Sequence, residues 1–279
     1  MFPKLVPSLL LYSFIFFVST FYTNIARADE AKLQVVTSFS ILEDLLIVLG
    51  GEHVNVVNLV ARNSDAHMYQ PKPSDTVAIS KADLVVFNGM GFEGWITRLI
   101  ENSQFDNQIL LATQGVKAIK LGDEVDPHAW QSFQNIRIYI DNITTTLISL
   151  RPQHTSSFKL SKKAYIEQLN TIEHDLKKKI AHIPINERRV VTSHDAFGYL
   201  AKDFNIQFFA PLGLSFEEQA SANDVAALID QIRKQNIQAL FVENISNTRL
   251  LEQIGSETDI ALGGRLYSDA LSETDGPAG

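Results

Sequence analysis

Short apolar runs alternate with amphipathic stretches along most of this chain. Residues 33–38 (Leu-Gln-Val-Val-Thr-Ser) read as a strand, 41–49 as a helix closed by Gly50-Gly51, and 54–60 as a second strand. A short helix over 74–81 follows Pro71 and Pro73. A third strand over 83–88 is broken by Gly89 and Gly91, and a helix over 92–102 comes next. Strands alternating with helices of these lengths predict a parallel sheet covered by helices.

A helix is predicted over 133–150, and a longer one over 158–183. In the longer one Tyr165, Leu169, Ile172, Leu176, Ile180 and Ile183 recur at steps of three or four, which puts them on one face with Glu173 and Lys177 to Lys179 largely outside. Pro184 ends it. At 1.5 Å per residue it spans roughly 39 Å, a length suited to a connecting rod. The alternation then restarts: strand 189–193, helix 196–204, strand 206–209, helix 222–235 with Val225, Leu228, Ile229 and Ile232 on one side, strand 239–242, helix 248–258. No sequence repeat is visible. The expected fold is α/β, two (β/α) lobes with parallel sheets joined by a long rigid helix. The expected divisions are an N-terminal lobe over 29–150, the linking helix over 151–185 and a C-terminal lobe over 186–279.

The first 28 residues are expected to be a leader. Lys4 is followed by the mostly apolar stretch 8–22 and by the small-x-small site Ala26-Arg27-Ala28. The run is short for a membrane span, which needs about 20 apolar residues, although an uncleaved anchor is the alternative. Cleavage would leave 251 of the 279 residues, and losing Lys4 and Arg27 takes the net charge from −8 to −10. Such a chain is unsuited to neutralising nucleic-acid phosphates and is compatible with a cationic ligand. The absence of cysteine excludes disulfides, thiolate metal sites, iron–sulfur clusters and a lipid anchor on an N-terminal cysteine. A soluble exported protein, retained in a bacterial periplasm, is the expectation.

Three of the seven histidines and one aspartate stand out by position. His67 lies just past the second strand, in Asp65-Ala66-His67-Met68-Tyr69-Gln70-Pro71-Lys72-Pro73. His128 lies in Asp126-Pro127-His128-Ala129-Trp130, before a helix, and His194 directly follows the strand over 189–193. Ligands of open α/β sheets bind beyond the carboxyl ends of strands. Taken singly, each histidine is more often a cap, core or surface residue, and Asp269 in Tyr267-Ser268-Asp269 a turn residue. Taken together, three imidazoles and one carboxylate are donors for one divalent transition metal. His53, His154, His174 and His182 sit in turns or on polar helical faces and read as ordinary surface residues. Tyr69 and Trp130 are candidates either to wall a pocket or to fill the core. Asp195 reads as a helix cap. Glu243, ending a strand, reads equally as a surface carboxylate or as an acceptor for an imidazole N–H.

Five segments in order carry a family resemblance: 36–42 (Val-Thr-Ser-Phe-Ser-Ile-Leu), 67–75 (His-x-Tyr-Gln-Pro-x-Pro-Ser-Asp), 126–130, 193–199 (Ser-His-Asp-Ala-Phe-Gly-Tyr) and 263–271 (Gly-Gly-Arg-Leu-Tyr-Ser-Asp-Ala-Leu). The chain resembles the periplasmic solute-binding proteins of manganese, zinc and iron ABC importers, the cluster A-I or TroA-like family. The resemblance covers nearly all the mature chain. It implies a metal site in the cleft between the lobes, with His67 and His128 from the N-terminal lobe and His194 and Asp269 from the C-terminal lobe. It implies a monomer that hands its ion to a membrane permease. Some relatives carry a glutamate in place of the third histidine; here it is His194. Relatives also have a further helix after Gly276-Pro277-Ala278-Gly279, which this sequence does not include, and Arg265 brings a positive charge near the Asp269 loop.

Four monodentate donors suit tetrahedral zinc, whereas a bidentate Asp269 suits manganese or ferrous iron. Zinc-dedicated relatives often carry a histidine-rich loop between the first two ligands, and residues 68–127 contain no histidine. The expectation is therefore manganese, with zinc close behind. Binding should weaken in acid as imidazoles with reference pKa near 6.5 take up protons. The competing readings are an exported zinc hydrolase, with Asp195 or Glu243 as base, and a surface adhesin. The first needs an open metal position, and no HExxH helix is present. The second fits poorly with a chain that has no lipid anchor.

Overall fold

A computed structural model describes residues 31–216 and 220–278. The leader expected over 1–28 lies outside them. The first sheet is built from β1 (Leu33–Thr37), β2 (Val54–Asn58), β3 (Leu84–Phe87) and β4 (Gln108–Leu111), all parallel, in the order β2-β1-β3-β4. Period-two alternation sorts its side chains. Leu33, Val35, Leu84 and Val86 join one core cluster with Leu42, Leu45, Leu46, Tyr139 and Ile143. Val36 and Val85 join another with Ile79, Leu99 and Ile100. The first face is covered by α1 (Ser40–Gly50) and later by α4 (Phe133–Leu150). The second is covered by α2 (Pro73–Ser80) and α3 (Ile96–Asn102). A two-stranded hairpin, β5 (Lys120–Leu121) with β6 (Glu124–Val125), leads into the His128 turn.

Helix α5 (Thr155–Ala181), 27 residues long, packs along α1 and α4. Its contact face is rotated from the expected one. Ile172 is 58% exposed, whereas Glu173 turns inward to receive Arg137 Nη2 at 2.6 Å.

The second sheet follows: β7 (Arg189–Val191), α6 (Gly198–Phe204), β8 (Gln207–Phe209), α7 (Ala222–Gln235), β9 (Ala239–Glu243), α8 (Arg249–Thr258) and β10 (Leu262–Leu266). Its order, β10-β9-β7-β8, is the order of the first sheet repeated, again all parallel. Val225, Leu228, Ile229 and Ile232 of α7 pack with Leu251 and Ile254 of α8 onto Val191, Leu240 and Val242.

Several expected elements shift. Strands β4 and β10 and the β5–β6 hairpin had no predicted counterpart. Leu262-Gly263-Gly264-Arg265-Leu266 has little intrinsic strand tendency and is held as a strand by pairing with β9, with a register shift between Leu262 and Arg265. A side chain at Gly263 would meet the Phe241 ring at 2.7 Å, so only glycine lets that ring lie across the strand. Helix α3 starts at Ile96 rather than 92. Residues 89–94 form a turn around the buried Glu93 carboxylate, which accepts the backbone N–H groups of Asn88 and Gly89. Helix α6 starts at Gly198 with Phe197 before it, so Asp195 does not cap it.

Candidate metal centre

The four singled-out residues lie at the carboxyl ends of the two sheets. His67 sits in the β2–α2 loop, His128 between β6 and α4, His194 after β7 and Asp269 after β10. One donor atom from each comes within 4.8 Å of all the others. His67 Nε2 is 3.3 Å from His128 Nε2 and 3.6 Å from Asp269 Oδ2. Asp269 Oδ1 is 3.7 Å from His128 Nε2, and Asp269 Oδ2 is 3.2 Å from His194 Nε2. His128, His194 and Asp269 are fully buried, and the His67 side chain is 6% exposed.

Each ring is aimed by its surroundings. The Asp65 carboxylate accepts the His67 backbone N–H at 2.8 Å, and Trp95 donates its indole N–H to the Ala66 carbonyl. Phe92 stands edge-on to the His67 ring at 4.4 Å. Asp126 Oδ1 lies 2.8 Å from His128 Nδ1 and also accepts the His128 backbone N–H. Pro127 is fixed by Asn88, whose side-chain amide donates to the Pro127 carbonyl at 2.8 Å. His194 Nδ1 lies 2.7 Å from Glu243 Oε2, while Glu243 Oε1 accepts the backbone N–H groups of Ser193 and His194. A carboxylate beside Nδ1 favours the proton there and leaves the Nε2 lone pair facing the centre.

Electrostatics separates the rings. Burial pushes the His67 imidazole down to about 3; the Asp269 charge opposes this and the neighbouring imidazoles add to it. Burial also works against a charged His194, but the Asp269 and Glu243 carboxylates outweigh it and lift that ring to about 10. Burial would raise Asp269 too, yet His194, His128 and His67 hold its carboxyl below the usual carboxylate range. Without an ion, the centre is thus a proton-bearing His194 beside an ionised Asp269.

The donor set fits one divalent ion. Asp269 Oδ1 is buried with no hydrogen-bond partner, and the polar neighbours of Asp269 Oδ2 are the other donors of the cluster, His194 Nε2 at 3.2 Å and His67 Nε2 at 3.6 Å. The Nε2 atoms of His67 and His128 are 3.3 Å apart, too close for both to carry a proton and placed to face one shared cation. Groups this polar and this buried ordinarily have partners.

The other candidates distribute differently. Trp130 is 5.3 Å from the His128 ring and does wall the centre, with Phe92 and with Phe216, which lies 4.5 Å from His194. Tyr69 instead packs on Trp95 and donates its hydroxyl to Asp75, bracing the His67 loop. Arg265 is exposed and is not among the ion-pair partners of Asp269. His53 and His154 stack on each other at 3.8 Å, and His174 and His182 are exposed on or beside α5. Two contributors had escaped notice in the sequence. Asp126 was signalled by its two-residue spacing from His128. Glu93, fully buried and raised by burial to about 7, accepts from Ser38 Oγ at 2.6 Å; no sequence signal marks it. A cleft of about 280 Å³ lined by His67, Met90, Phe92, Pro127, Leu214 and Ser215 opens onto the site.

Two parallel-sheet lobes carrying a buried cluster of three imidazoles and one carboxylate define a class, the metal-binding solute-binding proteins. The family described as ZnuA, zinc-uptake complex component A, periplasmic, matches residues 35–279. Iron-binding protein YfeA of Yersinia pestis is 32% identical over 256 residues, covering 90% of this chain and 82% of that protein. The manganese ABC transporter substrate-binding lipoprotein scaA of Streptococcus gordonii is 31% identical, covering 88% and 83%. Among solved structures, the Mn-bound periplasmic metal binding protein of Candidatus Liberibacter asiaticus is 32% identical with a TM-score of 0.80, covering 89% and 93%. The periplasmic zinc binding protein TroA of Treponema pallidum, 24% identical with a TM-score of 0.84 over 88% and 92%, has the same fold. The chain belongs to this family of periplasmic metal-uptake components, whose members are substrate-binding transport proteins.

Proposed function

We propose that the protein captures one divalent transition metal outside the cytoplasm and delivers it to the membrane permease of an ABC importer. The observation that carries this reading is the convergence of His67, His128, His194 and Asp269 in a buried centre, with each Asp269 oxygen facing an imidazole. Both Asp269 oxygens face the imidazoles, Oδ1 towards His128 Nε2 at 3.7 Å and Oδ2 towards His194 Nε2 at 3.2 Å, which supports bidentate binding; that raises the coordination number above four and favours manganese or ferrous iron over tetrahedral zinc. Relatives named for manganese and for iron support the same choice. We read manganese as the first cargo and zinc as the second, knowing that zinc has the higher intrinsic affinity for most such donor sets.

Four protein donors would leave tetrahedral zinc no open position, and of the four only His67 lines the cleft. Catalytic zinc needs an open position for water, so the reading is transport and not hydrolysis. Relatives include proteins named lipoproteins. This chain has no cysteine to bear a thioether-linked lipid, and we read it as a free periplasmic monomer exported by its leader, with the lobes dividing at 150 and 185. The test is the metal content of protein isolated from its own host without a metal-affinity column. Stoichiometric manganese or zinc is expected. Metal-free protein that also fails to bind either ion in titration would overturn the function.

A further inference from the structure

The segment that carries Asp269 leaves the second sheet at Leu266 and then lies along the first lobe. Trp130 Nε1 and Gln131 Nε2 both donate to the Ser268 carbonyl at 2.8 Å. Leu271 donates its N–H to Ser40 Oγ at 2.9 Å and accepts from the Asn63 backbone N–H at 3.0 Å. Arg62 Nη1 donates to the Ser272 carbonyl at 3.0 Å. These donors and acceptors come from the loops that carry His67 and His128 and from the start of α1. On the other side, beyond β10 itself, Asn244 Nδ2 donates to the Ala270 carbonyl at 3.0 Å, and the same amide reaches Asn63 Oδ1.

We infer that residues 268–272 form a strap that keeps Asp269 with the N-terminal lobe. The metal site therefore divides three to one: His67, His128 and Asp269 on one body, His194 alone on the other. This rests on the reading of the four donors as a metal site and adds how that site opens. By chain position Asp269 belongs to the second lobe, but lobe separation breaks the weaker set of contacts. Five hydrogen bonds tie the strap to the first lobe, against one from Asn244 and the 3.2 Å contact of Asp269 Oδ2 with His194 Nε2, which a bound ion replaces. Opening hinges near 266–267 and withdraws His194, whose ring is carried by β7 and Glu243. An arriving ion meets a preformed half-site of two imidazoles and a carboxylate, and His194 closes over it. Release runs in reverse, with His194 leaving first.

The strap acts on the ion only through Asp269, which makes the test a cycle of variants in the full-length chain with Zn²⁺ as the probe, since zinc binds such donors tightly enough to follow weakened sites. Trp130→Phe with Gln131→Met removes both donors to Ser268; because Trp130→Phe also takes bulk from the wall beside His128, Gln131→Met alone is run alongside it. This pair should lower Zn²⁺ affinity about tenfold in the otherwise unaltered protein, because a buried carbonyl loses its partners and the loop loosens. The same loss is expected with His194→Ala, and less than about a twofold change with Asp269→Ala, where the strap has no ligand left to position. An equal loss in the Asp269→Ala background, or none in any background, would overturn the strap. If the pair fails to fold, as read by circular dichroism of the metal-free protein, Gln131→Met alone should follow the same pattern at about threefold. An unaltered protein that binds no Zn²⁺ would strike at the metal site itself, a separate outcome from normal binding with no coupling.

Discussion

The two lobes have the same strand order and each buries a carboxylate near the carboxyl ends of its strands, yet they use it for different ends. Beside the carboxyl ends of the first and third strands, the N-terminal lobe buries Glu93, from the loop after β3, and the C-terminal lobe Glu243, the last residue of β9. Glu93 spends all its acceptors on the protein frame: Ser38 Oγ and the N–H groups of Asn88 and Gly89. It shapes the turn from which Phe92 reaches His67. Glu243 divides its two oxygens. One accepts the N–H groups of Ser193 and His194, and the other lies beside His194 Nδ1. A buried carboxylate thus braces a loop in one lobe and tunes a ligand in the other. The N-terminal lobe obtains its equivalent tuning from Asp126, which sits in the same loop as His128. Topology sets where a carboxylate can be buried; the ligand's own loop decides whether it must act electrostatically.

The comparison breaks first at the ligands. Asp269→Ala leaves three buried imidazoles without an anion and should cost at least about a hundredfold in metal affinity, more than loss of an outer carboxylate. His154→Ala, on the stacked pair outside the site, should leave affinity unchanged; competition titration against a chelator reads both. Equal effects would refute the ligand assignment.

Next come the tuning carboxylates. Glu243→Gln and Asp126→Asn should each weaken binding by about ten- to a hundredfold, while Glu93→Gln should weaken it far less. If Glu93→Gln matched Glu243→Gln, the contrast between bracing and tuning would be wrong.

A third distinction is in protons. His194 is lifted to about 10 in the ion-free centre, so metal binding must displace its proton; His67 is pushed down to about 3 and has none to lose. Affinity should therefore gain about tenfold per pH unit from His194 alone, up to pH near 10, with no added slope from His67 above pH near 3. The sign for stability is opposite. A raised histidine pKa stabilises the metal-free fold fully below the unfolded value of about 6.5, and that stabilisation is lost as pH rises through about 10. Proton release on binding, measured in buffers of different ionisation heat, checks the first, and melting of metal-free protein between pH 6 and 10 checks the second. Glu243→Gln should lessen both.

The smallest effect belongs to Glu93. Its pKa is raised by burial to about 7, so the folded protein keeps a proton that the unfolded chain gives up above about pH 4.5. Its contribution to stability should decline as pH rises from about 4.5 to 7, by at most about 1 kcal/mol per pH unit given its three hydrogen-bond donors. Melts of Glu93→Gln should lack that decline; a persisting decline would place its origin elsewhere.

Much of this was legible along the chain. The alternation of β1, α1, β2, α2 and β3 follows from apolar period and from Gly and Pro breaks, and α4 and α7 fall on their expected ranges, 133–150 and 222–235. His67 and His194 announce themselves by standing just past strands, where an open sheet presents its ligand side. The misses share a cause. Residues 262–266 become a strand because β9 offers partners, Ile172 faces solvent while Glu173 turns inward to Arg137, and residues 92–95 turn because Glu93 is needed under the loop. Each is a contact between residues distant in sequence, which no local propensity encodes.

For the centre, the sequence by itself determined the donor types, their order, and a chemistry limited to nitrogen and oxygen ligands, since these are properties of side chains whatever the fold. Only the tertiary structure decided that the four donors meet, that His67 and His194 hold their protons so differently, and that the Asp269 segment lies along the N-terminal lobe. Convergence, desolvation and cross-lobe hydrogen bonds depend on distances that folding alone creates.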